Sequence, residues 1–263
     1  MSSFTAQDVK ALREATGAGM MDCKRALTEN EGDMEAATQS LREKGMAKAA
    51  ARADRASDQG TVALAVDGNA AAIVELRCET DFSAKAEDFT TLAGELAQLV
   101  LSNGEGSVGA REAAIEDLSL AKKENVRLGT VVRVQAADGH ILDTYLHTQD
   151  GRGTSAVVVE ARGVTQEMAH EVALHIAFAK PSVLHRDEVD PEEVERERVA
   201  LTEMTKAEGK PEQAWDKIVS GRLRAWYAER VLLEQGMFGE KETVESRLGD
   251  GEIVRFHLAA IGS

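Results

Sequence analysis

Gly60-Thr61-Val62-Ala63-Leu64-Ala65-Val66 is echoed by Gly129-Thr130-Val131-Val132-Arg133-Val134-Gln135, and the reading of this pair decides the fold. Both runs are rich in β-branched residues and both precede a glycine turn, at Asp67-Gly68-Asn69 and at Asp138-Gly139. They read as matching strands. Each is followed by a further apolar strand, Ala71 to Leu76 in the first copy and Ser155 to Glu160 in the second. An amphipathic helix comes next in each, with Phe89, Leu92, Leu96, Leu99 and Val100 in one and Met168, Val172, Ile176 and Phe178 in the other. Strand, strand, helix, twice over, predicts an α+β core of two related subdomains.

Upstream, Thr5 with Asp8 forms a capping arrangement for a short helix that Gly17-Ala18-Gly19 ends. A second helix carries Met21, Cys23, Ala26 and Leu27. Asp33 caps a third, which is expected to end at Gly45. Three short helices in about 45 residues make a small bundle. Packing favours one of Met20 and Met21 as core filler, while the other remains a candidate exposed contact, since two methionines straight after a glycine turn do not both point inward easily. Residues 46–59 are alanine-rich and polar, which suits a helical linker to a new domain near residue 56.

Downstream of Pro181, Asp190-Pro191 pairs an N-cap with proline at the first helical position, and the charged run that follows ends at Gly209. A return helix carries Trp215, Ile218, Leu223, Trp226 and Val231. The two helices predict a projecting antiparallel hairpin, with both tryptophans as packing residues. Ile253 to Leu258 reads as an edge strand returning to the core.

The 263 residues carry a net charge of −15. That excess of carboxylates argues against a nucleic-acid partner, because neutralising phosphates takes clustered Lys and Arg. No apolar run approaches the roughly 18 residues of a membrane helix. The opening Met-Ser-Ser-Phe-Thr-Ala-Gln-Asp lacks both regions of a signal peptide, and Cys23 and Cys78 sit in apolar patterns, so a reduced, cytoplasmic protein is expected.

Catalytic motifs fall away one by one. Gly104-Glu105-Gly106-Ser107-Val108-Gly109 matches a dinucleotide-binding glycine pattern but follows a helical stretch instead of a strand, so it reads as a loop. His170 and His175 miss the zinc-hydrolase spacing by one residue, and at about 100° per residue the two rings diverge. A metal hydrolase built on His170 is thereby a remote rival. No enzyme, cofactor or metal is expected.

One stretch stays unexplained by folding alone: Glu79-Thr80-Asp81-Phe82-Ser83-Ala84-Lys85. A carboxylate beside a phenyl ring, with no obvious local partner, is suited to entering another protein's pocket. Together with Leu12-Arg13-Glu14-Ala15-Thr16-Gly17-Ala18-Gly19-Met20-Met21-Asp22-Cys23-Lys24-Arg25-Ala26-Leu27 and Cys78 to Phe89, it resembles the bacterial elongation factor Ts family, nucleotide exchange factors for elongation factor Tu. The likeness continues through Tyr145-Leu146-His147, His175-Ile176-Ala177 with Lys180-Pro181, Glu208 to Pro211 and Lys217 to Arg222, and so covers nearly the whole chain.

The resemblance implies a ubiquitin-associated-like three-helix domain with linker over 1–55. It further implies a core of two subdomains at 56–139 and 140–186, a dimerisation-type hairpin over 187–235 and a return segment over 236–263. In the family the Asp-Phe pair enters the GTPase beside its magnesium and phosphates, which assigns Asp81 and Phe82, flanked by Thr80 and Ser83. The N-terminal domain contacts the GTPase domain, which nominates Arg13, Met20 and Met21, and His147 is a further nominee in the second subdomain. The implied partner is elongation factor Tu, GDP-bound and nucleotide-free, with a homodimer or a 2:2 complex left open. Family members usually carry valine where Ser83 stands, asparagine where Glu87 stands and proline where Gly236 stands, which is expected to retune affinity and loosen the hairpin exit. Some continue past Arg255-Phe256 into a helix that reaches the GTPase, a contact not expected in a chain ending at Ser263. The rival from another class is a ubiquitin-associated-type adaptor without exchange activity.

Overall fold

The computed structural model describes residues 4–50, 52 and 54–262, with the backbone alone for 46–50. The first three helices are α1 (Ala6–Thr16), α2 (Met20–Glu29) and α3 (Met34–Ala50). Thr5 caps α1 in a reciprocal box with Asp8, and Gly17 ends it at φ 65°. Asp33 accepts from the amides of Glu35 and Ala36 at 2.9 and 3.0 Å. Val9, Leu12, Cys23, Leu27 and Ala37 close a small core.

Two expectations fail in this bundle. Helix α3 does not stop at Gly45 but runs on to Ala50, because a glycine with nothing to cap remains compatible with a continuing helix. The missing side chain matters elsewhere: a Cβ at Gly45 would lie 3.0 Å from Leu120. Neither Met20 nor Met21 fills the core, since they are 47% and 71% exposed. The alanine-rich linker lies partly outside the described residues.

The two core sheets each have three antiparallel strands. The first holds β1 (Gln59–Asp67), β2 (Ala70–Cys78) and β3 (Arg127–Gln135), the second β4 (Ile141–Gln149), β5 (Arg152–Arg162) and β6 (Glu252–Ala260), in those orders. This corrects the expected repeat. Gly129–Gln135 does not open a second copy but pairs back onto β2, with Val132 opposite Ile73 and Val131 opposite Val74. An alternating run signals a strand; it does not name the neighbour. The strand that opens the second sheet, β4, was obscured by its polar residues. Asp143 is buried there because Gln166 donates to it at 2.6 Å and His170 Nδ1 lies 2.9 Å away. The duplication that does exist is hairpin, helix, late third strand: β1-β2 with β3, and β4-β5 with β6.

Beyond β2 come the short α4 (Asp81–Ala84), α5 (Glu87–Asn103) and α6 (Glu112–Lys122), and beyond β5 comes α7 (Gln166–Ala179). Four layers result. Helix α5 buries Phe89, Leu96 and Val100 against Val74 and Leu76 of the first sheet. The sheets face each other through Val62, Ile73 and Val134 on one side and Ala156, Val158 and Ala259 on the other. Helix α7 covers the outer face of the second sheet with Val172 and Ile176. Phe178 departs from its expected stripe: it is 68% exposed and its ring centroid lies 6.2 Å from that of Phe238. Two residues past Ile176 is about 200° round the helix, so the core face cannot hold both.

Helices α8 (Pro191–Ala207) and α9 (Trp215–Arg230) follow and pack against each other. Asp190 accepts from Glu192 N at 2.9 Å, and Trp226 is buried with Val189 and Val231 at their base. Trp215 is half-buried, its indole donating to Lys210 O at 2.8 Å. A short α10 (Val244–Leu248) precedes β6. Gly236 does not loosen the exit: a Cβ there would lie 2.0 Å from the Glu240 carbonyl oxygen, so glycine lets this turn close tightly. No helix among the described residues is long and apolar enough to cross a membrane.

Candidate functional site

Strand β2 delivers the chain at Cys78 onto the unexplained stretch. Cys78 is buried and its thiol donates to Thr80 O at 3.2 Å. Burial, assisted by the nearby Glu124 charge, pushes the thiol up to about 12, which leaves it an inert core group. Thr80 then takes an extended conformation and caps α4, its hydroxyl accepting from Ser83 N at 3.3 Å. The glycine-rich stretch that opens at Gly104 forms a 3₁₀ helix, Glu105–Arg111, between α5 and α6 instead of an open loop.

A four-residue helix has almost no stability of its own. What holds it is Glu124, which nothing in its local sequence singles out. Its carboxylate accepts from Glu79 N and Thr80 N, both at 3.0 Å, and from the hydroxyls of Thr80 and Ser83, both at 2.6 Å. Burial alone would raise this carboxyl, but the Ser83 and Thr80 hydroxyls and the two amides outweigh it and hold Glu124 below the ordinary range. Helix α6 ends at Lys123 in the left-handed region, φ 59°, which turns Glu124 toward the motif, and Ser119 fixes its carbonyl at 2.6 Å. In return, Glu79 accepts from Asn125 N at 2.8 Å. Each loop therefore caps amides of the other.

Ser83 belongs to this support. It is only 7% exposed, and its hydroxyl faces its own fold, unlike the neighbouring Phe82 ring. Phe82 is the opposite case. Its ring is 84% exposed, forgoing about 1.5–3 kcal/mol that burial of such a side chain would provide. Asp81 lies beside it and meets Lys85 Nζ at 2.9 Å, which holds the carboxyl below its usual value. Lys85 also reaches Asp150 at 3.1 Å, in the turn between β4 and β5. Directly after that turn the buried Arg152 donates to Gly60 O, and its charge further favours ionised Asp81. These exposed pairs contribute little to stability; they fix where the second sheet's turn sits relative to the motif.

The same hairpin carries His147, exposed on β4 with Nδ1 3.1 Å from the Tyr145 hydroxyl. Arg13, Met20 and Met21 stand on the N-terminal bundle around the Gly17–Gly19 turn, all exposed. The two α7 histidines point to different partners. His170 Nδ1 is 2.9 Å from Asp143, whereas His175 is buried, with Nε2 3.0 Å from Gln235 Oε1 and Nδ1 accepting from Phe238 N at 3.1 Å. The arrangement around Phe82 thus holds an exposed phenyl ring beside an ionised carboxylate on a turn tied down at both ends.

Comparison with known proteins places the chain. The elongation factor Ts family model matches residues 79–263, beginning at the motif itself. A relative from Deinococcus deserti, an elongation factor Ts, is 39% identical over an alignment covering 98% of this chain and 99% of the relative. The chain is thus a translation elongation factor, a class that works in protein biosynthesis. It belongs to the elongation factor Ts family.

Proposed function

We propose that this chain is the guanine-nucleotide exchange factor of elongation factor Tu, acting in the cytoplasm and using Asp81 and Phe82 on the magnesium and phosphate site. The observation that carries the reading is the exposed Phe82 ring on a turn clamped from beneath, next to an ionised carboxylate. GDP is held in a GTPase through its phosphates, the amides cradling them and a magnesium ion offsetting their charge. A phenyl ring wedged among the elements that carry the magnesium ligands displaces the ion, and about 1.5–3 kcal/mol from its own burial supports the intrusion. Asp81, released from Lys85, adds negative charge or captures a backbone amide there. Each tenfold weakening of GDP binding takes about 1.4 kcal/mol of differential interaction, and coupling is reciprocal, so GTP in turn displaces the factor. No covalent step is involved.

Arg13, Met20 and Met21 supply a second contact with the GTPase domain in this reading, with His147 a further contact from the second sheet. Residues 1–55 act as the ubiquitin-associated-like domain, 56–139 and 140–186 with 236–263 as the core, and 187–235 as the dimerising hairpin of a homodimer or 2:2 complex. Membership of the family gives no support to an adaptor without exchange activity. Fluorescent-GDP release from purified elongation factor Tu tests the function: catalytic amounts of this chain are expected to accelerate release, whereas tight binding with unchanged release would make it an adaptor.

A further inference from the structure

We infer that Glu124 is a positioning residue for exchange: it aims Phe82 from a loop 42 positions away in sequence, and Ser83 is its dedicated partner in this chain. The inference rests on the reading of Asp81-Phe82 as the intruding pair. All four hydrogen bonds to the Glu124 carboxylate come from residues 79, 80 and 83, which bracket that pair on both sides. The hydroxyl of Thr80 closes the loop, accepting from Ser83 N at 3.3 Å while donating to the same carboxylate oxygen that Ser83 Oγ meets. The motif thereby loses its freedom at both ends while its centre stays open, with Phe82 84% exposed.

Such a ring could in principle be directed by its own packing, but an exposed side chain has few contacts to do so, and four residues of helix do not persist unsupported. A carboxylate accepting several charge-assisted bonds is the strongest local restraint available. It also explains why serine suits position 83. A hydroxyl there is nearly buried and must be satisfied, and Glu124 satisfies it. Glutamine at this position keeps one acceptor oxygen, sets an NH2 group against the other pair of donors and removes the charge, so the clamp loosens and the turn samples orientations in which the ring misses its target.

The test is epistasis in GDP release from elongation factor Tu, using the full chain and variants Phe82→Ala, Glu124→Gln and the double substitution, with folding checked by circular dichroism. Phe82→Ala is expected to slow maximal stimulated release strongly. Glu124→Gln is expected to slow it about tenfold with the half-saturating concentration changed less. In the Phe82→Ala background it is expected to cost nothing further, because aim is irrelevant once the ring is gone. Should Glu124→Gln fold poorly, Ser83→Ala removes one of the four bonds and is expected to slow release about twofold to fivefold, again only when Phe82 is present. Wild-type release by Glu124→Gln, or losses that multiply with that of Phe82→Ala, would overturn the positioning role while leaving the exchange reading intact. Wild-type release by Phe82→Ala alone would instead overturn the reading of Phe82 as the intruding ring, and this inference with it.

Discussion

A phenyl ring kept in water contributes little to the fold, and Phe82, 84% exposed, is the clearest case in this chain. Because the ring makes so little contact with its own chain, Phe82→Ala is expected to leave unfolding free energy within about 0.5 kcal/mol of wild type in urea. A loss of several kcal/mol would mean that the ring packs internally, which contradicts its exposure. That Phe82 lacks a local partner was legible in the sequence, whereas Asp81 has one after all in Lys85, four residues on. Glu124 was not legible, since a carboxylate just past an alanine-rich helix looks like any solvated charge. Only the fold brings it under the motif. Ser83 was hidden for the same reason: next to the exposed Phe82, nothing local marks its hydroxyl as turning inward to Glu124.

Elements were read with uneven success, and the unevenness has a physical pattern. Helix ends defined by local chemistry, such as Thr5 with Asp8, Asp33, and Asp190 with Pro191, appear where expected, because caps depend on neighbours three or four residues away. Pairing between strands depends on distant segments, and there the reading failed, assigning Gly129–Gln135 to the wrong sheet. Helix α7 offers a prediction at this scale. His175 is buried with its Nδ1 accepting from Phe238 N, an arrangement that requires a neutral ring, and burial lowers its proton affinity against a smaller opposing effect of Gln235. The native state therefore binds protons less readily than the unfolded chain. Stability from this group is complete above the unfolded histidine value of about 6.5 and falls away as pH drops through the lower native value. Urea midpoints measured from about pH 7 down to about pH 5 should decline, and His175→Gln should flatten that decline. Equal slopes in both proteins would place the titration elsewhere.

On the scale of the whole molecule, two sheets packed face to face make one mechanical unit out of a motif on the first and a turn on the second. Lys85 bridges Asp81 and Asp150 across that junction. Ile73 is fully buried between the sheets, so Ile73→Ala is expected to remove about 2–5 kcal/mol. Fluorescence and circular dichroism should then lose both sheets in a single transition, and separate transitions would show that they are independent. The net charge of −15 is consistent with the sequence-based argument against a nucleic-acid partner. The claim underlying all of this is that Asp81 and Phe82 act on nucleotide retention by elongation factor Tu. Its most direct measurement is the rate of fluorescent-GDP release from that GTPase with saturating wild-type chain or with a folded Asp81→Ala, Phe82→Ala variant. The account predicts a release rate with the variant at least about tenfold below wild type, equivalent to 1.4 kcal/mol or more of lost differential interaction; release at the wild-type rate would contradict it.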